Sequence, residues 1–434
     1  MSIDDPILLL ILAFLLLGLF LTAGIKIGIA LGIVGVLGFL IYQGNTGHTN
    51  IIPVRALNSF VLTAIPLFML MGEILMNSGA SDMIYRGASR WVSWAPGGLL
   101  HTNIASCAMF AAISGSSVAT AATIGTVAIP QFEKRGYDRP LALGSLAAGG
   151  TLGVLIPPSI NMLVYAALTN TSVGALFAGG IIPGLVLSLL FMIYIAIRVI
   201  RNPGLAPKEE IPVSIRSFAK SFVDLWPLFT LAVIVLGGIF GGFLTPTEAA
   251  AIGASSAIII GLVLRRLTWF GFRKSLVSAV ENASMALFLL VGASILAGFL
   301  ARAGVPTTLA EYAVGSGASA VMILLLIYLV ALFLGCFIDG LCIIVLTVPT
   351  AVPILTALGY DPVWFGVVLV VLCEIGMLTP PMGINLFVIQ GISGRKLSEV
   401  LTGSIPFFCI QLFGLALFTI FPFLILWLPA NIIG

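Results

Sequence analysis

Two short polar interruptions in apolar sequence carry the chemistry of this chain. Ser114-Gly115-Ser116-Ser117 breaks one apolar stretch, and Ile338-Asp339-Gly340 breaks another, so that Ser116 and Asp339 lie 223 positions apart. Thr120 and Thr123 add hydroxyls beside the first break. Hydroxyls, backbone carbonyls and one carboxylate are hard oxygen donors, the type that holds a small cation such as Na⁺. Membrane helices also use Ser and Thr to pack closely or to bond across a bundle, so single members of the set are open to that role. A lone carboxylate at membrane depth is costly and defaults to function, which makes Asp339 the sharpest candidate. Glu73 and Glu374 also lie inside apolar runs. Arg302 follows an apolar run, where it either snorkels to the interface or pairs with an anion or with Asp339.

A second pair of motifs says where these groups meet. Gly153-Val154-Leu155-Ile156-Pro157-Pro158-Ser159-Ile160-Asn161 is followed 223 positions later by Gly376-Met377-Leu378-Thr379-Pro380-Pro381-Met382-Gly383-Ile384-Asn385, with the Gly-x-x-x-Pro-Pro core in register. Proline lacks an N–H and ends a hydrogen-bonded helix, so each copy breaks a spanning helix. Broken backbone at that depth survives only inside protein or beside a wet cavity. C-terminal ends of half-helices favour cations and N-terminal ends favour carboxylates. The register extends to Gly136-Tyr137-Asp138 with Gly359-Tyr360-Asp361, Ile129-Pro130 with Val352-Pro353, and Ile182-Pro183 with Ile405-Pro406. Leu67-Phe68 and Gly72 match Leu287-Phe288 and Gly292 at 220. A sustained register of this kind marks a duplicated unit.

Composition supplies the solvent. Of 434 residues, 60% are apolar and 8% charged, against about 25% charged in soluble domains. Runs of ~20 apolar residues recur, and alternating ten-residue strands do not, so the chain reads as an all-α polytopic membrane protein. Residues 1–50 hold two spanning helices, the first retained because Asp4 and Asp5 precede it rather than a basic stretch. Residues 51–200 form the first repeat, with a re-entrant hairpin at about 96–131 and a broken helix at about 141–168. Residues 201–224 read as a surface brace helix, with Ile211, Ile215, Phe218 and Phe222 on one face. Residues 225–428 form the second repeat, with a hairpin at about 306–356 and a broken helix at about 362–390.

Placing the base at 133–139 in the cytoplasm puts all but Arg55 and Arg302 of the 19 Lys and Arg on that side, as the positive-inside rule requires. The repeats are then inverted and both termini are periplasmic. The five cysteines stand singly and read as small buried hydrophobes, and the two histidines have no ligand partners, so neither a metal cofactor nor an intramembrane enzyme is expected. No phosphate-binding glycine loop is present, and a net charge of +3 marks no nucleic-acid partner.

With Ser114 to Thr120, Gly153 to Ser159 and the repeat in place, the chain resembles the large membrane subunit of tripartite ATP-independent periplasmic (TRAP) transporters over nearly its whole length. The resemblance implies an elevator-type secondary transporter of the bacterial inner membrane, with a scaffold and a mobile transport domain. Na⁺ is the implied coupling ion, an organic acid such as a C4-dicarboxylate or sialic acid the substrate. A periplasmic binding protein and a small four-helix membrane subunit are the implied partners, besides membrane lipid. By similarity the Na⁺ sites fall on Ser114, Gly115, Ser116, Ser117, Gly153 and Pro157, and on Asp339, Gly340, Thr379, Pro380 and Met382. Ser159, Asn161, Arg302 and Asn385 are the candidate substrate contacts. The alternative is a stand-alone Na⁺- or H⁺-coupled anion transporter that needs no binding protein; a channel fits paired broken helices poorly.

Overall fold

The computed structural model describes residues 5–207, 215–315, 317–381 and 383–432. All regular structure among them is helical. The chain opens with α1 (Pro6–Thr22), α2 (Ile27–Gln43) and the short α3 (Ile52–Leu57). The first repeat then runs α4 (Ala64–Asn77), α5 (Ala80–Val92), α6 (Leu99–Ser114), α7 (Ser117–Arg135), α8 (Arg139–Thr151), α9 (Ile160–Thr169) and α10 (Val173–Arg201). Connecting helices α11 (Ile215–Ala232), α12 (Gly238–Phe240) and α13 (Pro246–Val263) lead to α14 (Trp269–Arg302). The second repeat continues with α15 (Val305–Gly315), α16 (Ala320–Gly335), α17 (Gly340–Ala357), α18 (Pro362–Met377), α19 (Ile384–Ser393), α20 (Leu397–Ile420) and α21 (Phe423–Ile432). Among the described residues, seven helices have the length and apolar composition to cross a bilayer. The hairpin arms α6 and α16 have 16 residues each, short of the ~20 a full span needs.

The repeated sequence motifs do the same local work twice. Gly136 (φ +71°) and Gly359 (φ +84°) take the left-handed conformation that closes each hairpin base. Asp138 and Asp361 then cap α8 and α18, accepting from Leu141 N at 3.0 Å and from Val363 N at 2.7 Å. Pro140 and Pro362 occupy the first helical turn, where no N–H is missed. Helices α8 and α18 carry apolar or small residues at most positions around their circumference and nearly every residue of each is buried, the pattern of a helix enclosed by other helices. Both helices then break at the Pro-Pro motifs; both Pro–Pro peptide bonds are cis.

The repeats interlock. The second arm of each hairpin (α7 or α17) packs on the first half of its own broken helix (α8 or α18) and on the second half of the other repeat's (α19 or α9). Helix α20 crosses α8 so closely that a Cβ on Gly144 would fall 2.1 Å from Gly403 O. Against this block stands a second group in which α14 packs along α2 and α4, with a Cβ on Gly292 only 2.1 Å from Gly28 O. Small residues let backbones approach where no hydrophobic force drives helices together.

Three elements differ from the sequence reading. The stretch expected as one hairpin arm from 306 is two helices, α15 and α16; α15 occupies the place that α5 holds in the first repeat. Of the expected brace at 201–224, Lys208 to Ser214, including Ile211, lie outside the described residues, and from Ile215 α11 runs through residue 224 into the next span without a break. Pro227 does not break it, as membrane helices tolerate proline. The expected closing span at 401–428 ends at Ile420 and restarts as α21 after Pro422. Cys409 is exposed, whereas Cys107, Cys342 and Cys373 are buried.

Candidate substrate and ion cavity

The two interruptions open on one cavity of about 480 Å³, within the range of small-molecule sites. The first tip contributes Ser114 to Ala119, the second Asp339 and Leu341. The starts of α9 and α19 add Ile160, Asn161 and Ile384. The facing wall belongs to α4 and α14, with Met69, Gly72, Glu73, Asn282 and Met285.

The first tip is dense in oxygen. Helix α6 ends at Ser114, Gly115 turns in the left-handed region (φ +61°), and Ser116 Oγ caps α7 by accepting from Ala119 N at 3.4 Å. Ser114 Oγ and Thr120 Oγ1 lie 2.7 Å apart, and Thr120 Oγ1 donates to Ser116 O at 2.8 Å. The first helix break presses on this tip. A Cβ on Gly153 would meet Ser116 O at 2.5 Å and Thr120 Oγ1 at 2.6 Å; one on Gly115 would meet Pro158 O at 2.7 Å. Glycine is required at both places because the backbones touch. Pro157 is buried directly behind. Thr123 is buried with its hydroxyl unpartnered.

The second tip has one carboxylate instead. Asp339 Oδ2 accepts from Leu341 N at 3.2 Å and caps α17. Cys373 donates to Gly340 O at 3.4 Å, and Thr379 Oγ1 donates to Ile375 O at 2.6 Å. Gly376 crosses Gly335, where a Cβ would come within 2.8 Å of Gly335 Cα. Pro380 is exposed, unlike its counterpart Pro157, and Met382 lies outside the described residues. No cluster of three or more His, Cys, Asp or Glu occurs among the described residues, so the oxygen set at the tips is one of hydroxyls and carbonyls with a single acid.

Of the four expected substrate contacts, only Asn161 lines the cavity. Its amide nitrogen is buried and has no hydrogen-bond partner. Ser159 caps α9, accepting from Met162 N at 3.4 Å, and donates to Val154 O. Asn385 donates to Ser117 Oγ at 3.0 Å and to Ala147 O at 3.2 Å, behind the tip. Arg302 is exposed in the last turn of α14, where the helix dipole favours a cation. Glu374 is fully buried with both carboxyl oxygens unpartnered and does not line the cavity. Its repeat counterpart Thr151 instead accepts from Gln411 Nε2 at 2.7 Å. Asn282 was not singled out by sequence; the only signal was an Asn beside Glu281 in an apolar run.

The family model "Tripartite ATP-independent periplasmic transporter, DctM component" matches residues 9–424. The C4-dicarboxylate TRAP transporter large permease protein DctM of Vibrio cholerae is 35% identical over 98% of this chain and 98% of its own. The sialic acid TRAP transporter large permease protein SiaM of the same organism is 35% identical over 95% and 97%. The isethionate TRAP transporter permease protein DctMQ of Oleidesulfovibrio alaskensis is 36% identical over 93% of this chain and 64% of its own. Among solved structures, the YdaH transporter of Alcanivorax borkumensis shares the fold, with a TM-score of 0.61 at 15% identity over 86% of each chain. A family match across nearly the whole length, on an all-helical chain whose paired interruptions share one cavity, places this protein among the DctM components of tripartite ATP-independent periplasmic transporters.

Proposed function

We propose that this chain is the large permease of a Na⁺-coupled importer of a small organic acid, a C4-dicarboxylate, sialic acid or related oxyanion. A periplasmic binding protein delivers the acid, and a separate small four-helix subunit completes the membrane unit. The chain sits in a bacterial inner membrane with both termini periplasmic, the orientation favoured by the charge asymmetry of its loops. The observation that carries this reading is the cavity in which the Ser114–Ser117 tip and the Asp339 tip meet. Na⁺, as co-transported cargo, takes the oxygens at each tip: Ser114 Oγ, Thr120 Oγ1 and the backbone of Ser116 on one side, Asp339 on the other. Bound ions order the tips and leave the free amide of Asn161 to meet the substrate. The interlocked hairpins and broken helices move as one block against the wall of α4 and α14, with the glycine contacts of Gly144 and Gly403 keeping the block rigid.

The test is uptake into proteoliposomes holding both membrane subunits, with binding protein outside and succinate, N-acetylneuraminate and isethionate as labelled substrates. Uptake of one acid that requires binding protein and an inward Na⁺ gradient is expected. Uptake indifferent to Na⁺ would overturn the coupling, and uptake of free substrate without binding protein would favour the stand-alone alternative.

A further inference from the structure

A second cavity, of about 290 Å³, draws on α9 and α14 as the first does but is unlike it in lining. Its lining includes Arg55, Asn58, Ser59, Asn170, Leu290 and Ser294, a polar set in a chain that is 60% apolar. Two helices connect the cavities. Helix α9 gives Asn161 to the inner one and Leu168 to the outer one, followed there by its C-cap Asn170, and α14 gives Met285 to the inner one and Ser294 to the outer one. At 1.5 Å per helical residue the outer cavity lies roughly 10–13 Å further along the two helices. Its sidedness follows from α9, whose Tyr165 donates to Pro362 O at 2.7 Å, beside the hairpin base that the charge asymmetry assigns to the periplasm. Arg55 has no carboxylate within ion-pair distance among the described residues. Arg55 lies exposed in the last turn of α3; with the amides of Asn58 and Asn170 and the hydroxyl of Ser59 around the same cavity, it offers donors of the kind that hold a carboxylate or sulfonate.

We propose that this outer cavity is the first station for the substrate on the periplasmic side, with Arg55 as the anchor for its oxyanion. From there the acid passes along the α9–α14 seam to the cavity between the tips. This rests on the import reading above, so the test has one arm that does not. In a chain with Cys336 and Cys409 replaced by Ser, Asn58→Cys is labelled from outside with the anionic reagent sulfonatoethyl methanethiosulfonate or its cationic trimethylammonium analogue. One nearby positive charge in a partly wet site favours the anion about fivefold over its rate with a free thiol. Arg55→Gln abolishes that preference and Arg55→Lys keeps it. The second arm is uptake: Arg55→Gln raises KM about tenfold, the loss of one charge-assisted contact, with the maximal rate within about twofold. A charge preference of the introduced thiol unaltered by Arg55→Gln, or reaction only from the inside, overturns the proposal, and points to lipid headgroups as the partner of Arg55. Absence of uptake of every acid by the unaltered chain defeats the import reading alone, because the labelling arm is read without transport.

Discussion

The first tip is a cluster of serines around a left-handed glycine, while the second, built on the same plan 223 residues later, is one aspartate with no such glycine. Gly115 turns at φ +61°, and its counterpart Ile338 needs no positive φ. Behind the first tip the helix break is buried; behind the second, Pro380 and Pro381 are exposed. Duplication therefore preserved the backbone breaks and let the donors diverge. One half presents neutral oxygens packed against backbone, the other a formal charge in a looser setting. On the proposed reading, an ion at the first tip would be selected by cage geometry, and one at the second by attraction to a carboxylate.

That contrast breaks most visibly at Gly115. Alanine there takes a left-handed conformation and meets Pro158 O at 2.7 Å. Strain of about 1–2 kcal/mol and overpacking of about 1–3 kcal/mol give a loss of Na⁺-driven uptake of about thirtyfold or more. Ile338→Ala at the second tip is expected to stay within about fivefold, since no conformation is forced. Equal losses at the two tips, measured as initial uptake rates at matched protein levels, would remove the distinction.

The donors separate next. Asp339→Asn raises the half-saturating Na⁺ concentration about thirtyfold, as expected for about 2 kcal/mol from a charged ligand, and Ser114→Ala, which removes a neutral hydroxyl, raises it about fivefold for about 1 kcal/mol. A Na⁺ titration in which the serine outweighs the aspartate would reverse the assignment.

What the sequence made legible were the features that do local backbone work. Gly-Tyr-Asp marks a hairpin base because glycine turns and aspartate caps. Gly-x-x-x-Pro-Pro marks a break because proline cannot donate. Contacts across elements were not legible. Ser159 and Asn385 lie in the right motifs, but the fold turns them to Val154 O, Ser117 and Ala147 O. The position of Arg302 after an apolar run leaves snorkelling and pairing with an anion both open; α14 carries its charge to an exposed helix end, the snorkelling outcome. The facing wall, with Glu73 and Asn282, comes from helices outside the repeated core motifs, and periodicity gives no sign of which wall a helix faces. Helix α15 falls inside the expected hairpin even though the sequence carries a break signal ahead of α16, the Gly/Ser cluster at 315–319: Gly317 turns at φ +68° and Ser319 caps α16, accepting from Met322 N at 3.2 Å.

The asymmetry also explains why one asparagine is free and the other is not. Asn385 donates to Ser117 of the first tip, and the position matching Ser117 in the second repeat is Gly340, which has no side chain to receive Asn161. A Cβ on Gly340 would stand 3.0 Å from Asn161 Nδ2 and 3.1 Å from Cys373 Cβ and Met377 Cε, tight but open to small adjustment. Gly340→Ser therefore supplies the missing acceptor and withdraws the amide from the substrate, raising KM about fivefold for about 1 kcal/mol at saturating Na⁺. An unchanged KM would mean that Asn161 does not touch the substrate.

The smallest expected difference lies at the hairpin bases. Glu133, at the end of α7, accepts from Arg395 Nη2 at 2.5 Å and ties the first hairpin to the turn after α19. The matching residue of the second hairpin is Thr356, which donates to Val352 O within its own helix, so only the first base carries a charge pair among the described residues. The Arg395 hydrogen bond, then its charge and that of Arg139, hold the Glu133 carboxyl below its ordinary value. A carboxylate depressed in the folded state stabilises it above the group's unfolded pKa, and that contribution is lost as pH falls through the lower folded pKa. The pair is exposed, and exposed pairs contribute little. The melting temperature of Arg395→Gln should thus sit slightly below that of the unaltered chain at neutral pH and merge with it under acid conditions, while Thr356→Ala leaves the pH profile unaltered. A gap for Arg395→Gln that persists at acid pH would assign Arg395 a packing role instead of an electrostatic one.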